Sequence, residues 1–221
     1  MTEKQVVSKQ RVADHGEVLT GRREVSAMLD LVKQETERIE SRFLEPACGT
    51  GNFLLEILER KLSVVESRYS KTQVEYERNA VLAVSSIYGI DILEDNAKKC
   101  RLRLFDLFNQ RYSDLFKARA QEKCREAVRY ILSLNIIWGD ALTLKTVGEN
   151  PKLIVFAEFS PINGSWLKRR DFTFHELLEH SGIKALPLFS DLGDDAFIPR
   201  PEKEYPPTHF LEVANAGEPK L

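Results

Sequence analysis

Cysteine is scarce: the chain has three among 221 residues, Cys48, Cys100 and Cys124, and no CxxC pair. That number fits neither a disulfide framework nor a four-cysteine zinc site, which predicts a reducing compartment, the cytoplasm, and no metal. No run of about 18 apolar residues occurs, so no segment reads as a membrane span. The residues after Met1, Thr2-Glu3-Lys4-Gln5, are polar, with no apolar stretch behind them of the kind that directs secretion. Neither sign of charge dominates, since 32 Lys and Arg balance 34 Asp and Glu. A surface that grips phosphate backbones throughout needs clustered Lys and Arg, so contact with nucleic acid is expected to be local or supplied by a partner. Repeats and low-complexity runs are absent too, which excludes solenoid architectures. With 43% hydrophobic residues the chain can bury a core, and its length suits one domain with a modest appendage.

What is present is an alternation of apolar segments. Val25, Met28, Leu29, Leu31 and Val32 recur at helical spacing as far as Glu40, with Thr20 or a neighbour placed to cap the helix. Arg42-Phe43-Leu44 is a short apolar run stopped by Glu45-Pro46, Gly49 and Gly51, after which Phe53, Leu54, Ile57 and Leu58 resume helical spacing. This reads as strand, glycine turn, helix. The pattern further predicts a helix over 71–86, a buried strand over 87–92, helices over 94–116 and 118–134, and strands over 135–140 and 153–157. A short helix follows near 174–180. The stretch from Ile198 to Pro207 holds Pro199, Pro201, Pro206 and Pro207 and is expected to be irregular and superficial, because proline continues neither a helix nor a central strand. Residues 1–195 therefore read as one α/β domain with an N-terminal helical segment, and 196–221 as a proline-rich tail. Strands alternating with helices predict a mostly parallel sheet with helices on both faces.

Ligands of open α/β sheets bind outside the carboxyl ends of the strands, so the residues that end each strand carry the information. Three successive strands end in an acid: Glu45, Asp91 and Asp140. Glu45 leads into Ala47-Cys48-Gly49-Thr50-Gly51-Asn52-Phe53, a glycine turn onto a helix N-terminus, where N–H groups and the helix dipole favour negative charge. An acid after the second strand can accept hydrogen bonds from both hydroxyls of a ribose, and one after the third can reach an adenine amino group. Those are the needs of an adenosine-containing ligand. A dinucleotide fingerprint is excluded, because Leu54 stands where its third glycine belongs.

The phrase from Glu45 to Leu54 closely resembles motif I of class I S-adenosylmethionine-dependent methyltransferases, in the form used by adenine-specific DNA methyltransferases of restriction-modification systems. His15-Gly16-Glu17-Val18-Leu19-Thr20, with the Met28-Leu29-Asp30 helix, resembles that family's motif X. Gly89-Ile90-Asp91-Ile92 resembles motif II and Trp138-Gly139-Asp140-Ala141-Leu142 motif III, in the family's order, so that the likeness spans residues 15–142. The resemblance implies a Rossmann-like class I fold, S-adenosyl-L-methionine as cofactor and N6 of a DNA adenine as methyl acceptor. It places Thr20, Glu45, Gly49 and Gly51 at the methionine end, with Ala47 among the cofactor-binding residues. Asp91 falls at the ribose, and Asp140 with Ala141 at the adenine ring. It also implies a partner, a specificity subunit or a second methyltransferase or restriction subunit.

The family's motif IV, Asn, Asp or Ser followed by Pro-Pro and an aromatic residue, accepts the N–H bonds of the target amine and stacks on the flipped base. Here the nearest stretch is Ser160-Pro161-Ile162-Asn163, directly after the fourth strand, which makes Ser160 and Pro161 the catalytic candidates. It is an eroded motif IV, or the resemblance has lost its active site. In the second case the chain is a non-catalytic cofactor-binding or scaffolding subunit of a larger complex. Lys168-Arg169-Arg170 reads as a phosphate contact or a solvated basic face, Trp138 as core, Cys48 as a small buried residue without thiol chemistry, and His15 and His175 as surface or packing residues.

Overall fold

The computed structural model describes residues 9–15, 18–178 and 199–215. Gly16 and Glu17 of the motif X phrase, the end of the helix expected near His180, and residues 196–198 and 216–221 of the tail lie outside the described residues.

Strand β2 (Ile87–Asp91) is buried at all five positions, the signature of a central parallel strand. It pairs in parallel with β1 (Phe43–Glu45) on one side and β3 (Ile136–Asp140) on the other, and the short β4 (Lys145–Thr146) adds antiparallel to β3. The order is β1-β2-β3-β4, which leaves β1 at an edge. Among the described residues the helices α1 (Lys9–His15), α2 (Arg22–Asp30), α3 (Lys33–Thr36), α4 (Asn52–Tyr69), α5 (Gln73–Ser85), α6 (Glu94–Phe116) and α7 (Glu122–Asn135) accompany the sheet. In α4 the buried residues Leu54, Ile57, Leu58, Lys61, Leu62 and Val65 recur at three and four, so one stripe faces the core. A fully buried Leu or Ile contributes about 1.5–3 kcal/mol, so this stripe alone fixes the helix on the sheet.

Alternation along β2 splits the core. Ile87 joins the helical cluster with Leu58, Leu104 and Ile131, whereas Tyr88 and Ile90 join a second cluster with Ile154, Phe156 and Phe174. Among the described residues that second face is covered by a helical segment over 174–178, which carries Phe174 and Leu177, and by strands. Strands β5 (Val155–Asn163) and β6 (Trp166–Thr173) form an antiparallel hairpin, and β7 (Lys203–Glu204) and β8 (Thr208–His209) both pair with β6. The mixed α/β character with a parallel-containing sheet is as expected, while the second face carries fewer helices than a doubly wound sheet among the described residues. Among the described residues parallel pairing joins β1, β2 and β3, and the antiparallel sheet packs on the second face through Phe156 beside the 174–178 segment. The strand expected at 153–157 runs on to Asn163, so Ser160 and Pro161 lie within a strand rather than in a loop after one. Pro161 is tolerated because β5 is an edge strand of its sheet. The last residue of α7 ties the two sheets together: the Asn135 amide donates to the Ala157 carbonyl at 2.9 Å and accepts from its N–H at 3.0 Å, as a neighbouring strand would.

One smaller expectation also changes. The helix read across 20–40 is broken at Leu31 and Val32, while its first segment is capped, as expected, by a neighbour of Thr20, Gly21. The region 199–207 is irregular and unburied as expected except for the two residues of β7, and it leads on through β8 to Phe210, which is fully buried against the helical core.

Candidate functional site

Parallel pairing sets three acids side by side. Glu45 is in register with Gly89 and Asp91 with Trp138, so Glu45, Asp91 and Asp140 end adjacent strands on one edge of the sheet. Beyond them opens a cleft of about 530 Å³, a volume ordinary for small-molecule sites, which run from about 300 to 1,000 Å³. Thr20, Glu45, Ala47, Gly49, Asp91, Asp140 and Ala141 all line it, as do Asn52 and Asn96. Gly51 is the one residue expected at the cofactor that does not.

The turn between β1 and α4 needs its glycines. Gly49 and Gly51 have φ of 53° and 89°, left-handed values that side chains disfavour. Gly51 caps α4, and its N–H donates to the Cys48 carbonyl at 2.8 Å. The Gly49 N–H donates to Asp91 Oδ2 at 2.7 Å, while Asp91 Oδ1 accepts from the Leu93 N–H at 2.9 Å and from Asn96 Nδ2 at 3.2 Å. Asp91 thus holds the glycine turn and the start of α6 at once. A carboxylate offers about four acceptor positions, so one is left for a ligand hydroxyl.

The other two acids differ in environment. Burial pushes the Glu45 carboxyl above its ordinary range, partly offset by the Ala47 N–H. The Leu142 N–H, followed by the Thr143 hydroxyl, holds Asp140 below the usual carboxylate range; these groups donate at 2.9 and 3.0 Å. Asp140 is accordingly a settled anion at the open end of the cleft, where Val18, Ile92 and Leu142 expose apolar side chains along the rim. Hydrogen bonding with Cys100 and burial push the Cys48 thiol far up, which removes the thiolate needed for thiol chemistry. Trp138 is not core: it is half-buried, and its ring N–H donates to the Ile92 carbonyl at 3.0 Å beside the cleft.

Several contributors escaped the sequence reading. Asn96, Cys100 and Arg103 stand at i, i+4 and i+7 on α6, one face of the helix, directed at the glycine turn. Arg103 Nη1 donates to the Thr50 carbonyl at 2.6 Å, to Thr50 Oγ1 at 3.0 Å and to Asn52 Oδ1 at 2.9 Å. Asn52 Nδ2 in turn donates to the Thr20 carbonyl at 2.7 Å. The spacing on α6 behind Asp91 was the available signal; the partners across the chain were not.

Ser160 and Pro161 are not brought to this cleft. They border a smaller cavity with Glu40, Arg42, Ser85 and Ser86, at the opposite, amino end of the parallel strands. The Ser160 hydroxyl donates to Glu158 Oε1 at 2.6 Å, which also accepts from Arg170 Nη2 at 2.9 Å. The basic run is likewise neutralised rather than offered to solvent. Lys168 pairs with Glu204, Arg170 with Glu158, and Arg169 makes a bidentate pair with Asp171 at 2.7 Å on both arms. His175 is exposed, as expected of a surface histidine.

A glycine turn and three strand-ending acids around a cleft at the carboxyl edge of a parallel sheet form the arrangement at which open α/β sheets hold ligands. The particular family is given by a match to the model of the MmeI DNA-methyltransferase domain over residues 20–149. That match covers more than half of the chain, and the chain belongs to this family of restriction-modification DNA methyltransferases. The matched span begins at Thr20 and ends before β5, so it holds the cleft lining except Val18 and Leu19 and leaves out the antiparallel sheet. No curated protein and no solved structure matches the chain significantly. Among the described residues no helix is long and apolar enough to cross a membrane.

Proposed function

We propose that the cleft binds S-adenosyl-L-methionine and that the chain serves methylation of adenine N6 in DNA. The observation that carries this reading is the convergence of Glu45, Gly49, Asp91 and Asp140 on one cleft, in the strand order an extended adenosine ligand requires. The residues fit the group. Asp91 keeps an acceptor position for the ribose, Asp140 is a fixed anion for the adenine amine, and the exposed Ile92 and Leu142 offer apolar faces to the ring. Glu45, Thr20 and the glycine turn are left for the amino-acid end, where Glu45 would meet an ammonium group. When bound, the cofactor supplies an electrophilic methyl group on sulfur. The protein's part is to hold that group in line with the acceptor nitrogen, a positioning effect.

A second reading is favoured by a specific observation: Ser160 and Pro161 line a different cavity at the far end of the strands. On this reading the chain is the cofactor-binding subunit of a multi-chain methyltransferase or restriction complex, and a specificity or second methyltransferase subunit presents the DNA base. Two measurements test the pair. Calorimetry with S-adenosylmethionine should give binding that is lost in Gly49→Val, and a folded protein that binds nothing would refute the cofactor assignment. Transfer of labelled methyl to adenine-containing DNA by the isolated chain would favour the first reading, and transfer only with a second subunit the other.

A further inference from the structure

Thr20 lies outside the sheet, on the segment that precedes α2, yet it lines the same cleft as the glycine turn 29 residues later. Only side chains can hold such a segment in place, since it joins no strand ladder. Asn52 is the bridge: it sits at the first position of α4, with Nδ2 on the Thr20 carbonyl at 2.7 Å and Oδ1 on Arg103 Nη1 at 2.9 Å. That bond to Arg103 orients the amide, because with the amide turned over its NH₂ would face the guanidinium and its oxygen would face the Thr20 carbonyl. The same Nη1 also grips Thr50 through its carbonyl and hydroxyl. We propose that Arg103 is a positioning residue which, through Asn52, fixes Thr20 and the glycine turn as one wall for the amino-acid end of the cofactor.

This rests on the cofactor assignment above and deepens it, since Arg103 does not itself line the cleft. The consequence is selective. The wall serves the amino-acid end, whereas the adenosine end is held by Asp91 and Asp140 from β2 and β3. Loss of Arg103 should therefore weaken a ligand that carries the amino acid and spare one that lacks it. The three contacts with Thr50 and Asn52 converge on one nitrogen, so a lysine ammonium that reached that point would satisfy these three.

The test is calorimetric binding of S-adenosylhomocysteine and of 5′-methylthioadenosine, which lacks the amino-acid portion, to the whole chain and its variants. Arg103→Ala should lose about 10- to 100-fold in affinity for the first, the scale of one or two hydrogen bonds to a charged group, with the second unchanged. Arg103→Lys should recover part of the loss. Asn52→Asp keeps an acceptor for Arg103 and adds an acid where the α4 dipole favours one, so it should fold, but it removes the donor to Thr20. It should show the same selective loss. Equal weakening of both ligands in Arg103→Ala, or an unaltered ratio in Asn52→Asp, would overturn the proposal while leaving the cofactor assignment standing. A folded wild-type chain that binds neither ligand would overturn both.

Discussion

Gly51 is the most constrained position of the cofactor half, and replacing it should separate two costs. Its φ of 89° is unfavourable for any residue with a Cβ, at about 1–2 kcal/mol. A methyl group there would also lie 2.6 Å from Cys100 Sγ, well inside contact distance, and 3.4 Å from Cys100 Cβ. Forcing a methyl into a packed site adds about 1–3 kcal/mol. Gly51→Ala should therefore destabilise the protein by about 2–5 kcal/mol. Cys100→Ala removes the sulfur and leaves φ untouched. In the double variant the packing part should return while the backbone part remains, giving a coupling of about 1–3 kcal/mol in a double-mutant cycle. Urea unfolding reads this directly, since with a slope of about 1–3 kcal/mol per molar a 3 kcal/mol loss moves the midpoint by 1 M or more. Strict additivity of the two substitutions would refute the contact, and a Gly51→Ala protein as stable as wild type would refute both the contact and the strain.

Further outcomes follow from other sites. Asp91→Asn puts an amide NH₂ among three N–H donors and should cost about 1–3 kcal/mol in stability, with weaker calorimetric binding of S-adenosylhomocysteine; unchanged values of both would show that Asp91 is no clamp. Lys61 is fully buried, its Nζ bonded to the Ile39 and Ser41 carbonyls and to Ser86 Oγ, and burial pulls its pKa down to about 7. Because the unfolded value is near 10.4, the unfolded chain binds the extra proton between these limits. Stability relative to a Lys61→Met variant should rise with pH from about 7 towards 10, at no more than about 1.4 kcal/mol per unit; a flat difference would mean that Lys61 keeps its ordinary pKa. Ser160→Ala should leave cofactor affinity unchanged and lower stability by about 1 kcal/mol through the lost bond to Glu158, and a selective loss of cofactor binding would show that the hydroxyl reaches the cleft after all.

The legible part of this chain is the part where local pattern and tertiary role coincide. Strand β2 is an unbroken apolar run because both its faces are covered, and it ends in Asp91 because the cleft begins there. Gly49 and Gly51 announce a turn because only glycine takes their backbone angles readily. The helix between 20 and 40 misled for the converse reason: Leu31 and Val32 continue the apolar rhythm but lie on the surface, Leu31 at 87% exposure, where the chain turns back with Leu31 N–H on Met28 O and Val32 N–H on Leu29 O. Asn52, Asn96 and Arg103 were illegible because their partners lie far along the chain, and a polar residue in a helix carries no mark of the carbonyl it will find.

The fourth strand shows why the acceptor side was misread. A run of five apolar residues, Leu153 to Ala157, suits a parallel core strand and an edge strand equally well. The discriminating signal stood further on, in Gly164-Ser165, a dipeptide that favours a tight hairpin and forms the two-residue loop joining β5 to β6. Gly164 takes φ of 52° there, and Asn163 pairs with Trp166 across the loop. Once the hairpin forms, Ser160 is committed to a ladder position opposite Lys168 and Pro161 to one opposite Leu167, and neither can stand at the carboxyl end of a parallel strand. Ser160 and Pro161 accordingly line a different cavity from the strand-ending acids. The match to the DNA-methyltransferase domain ends at residue 149, on the same side of that divide as the whole lined cleft.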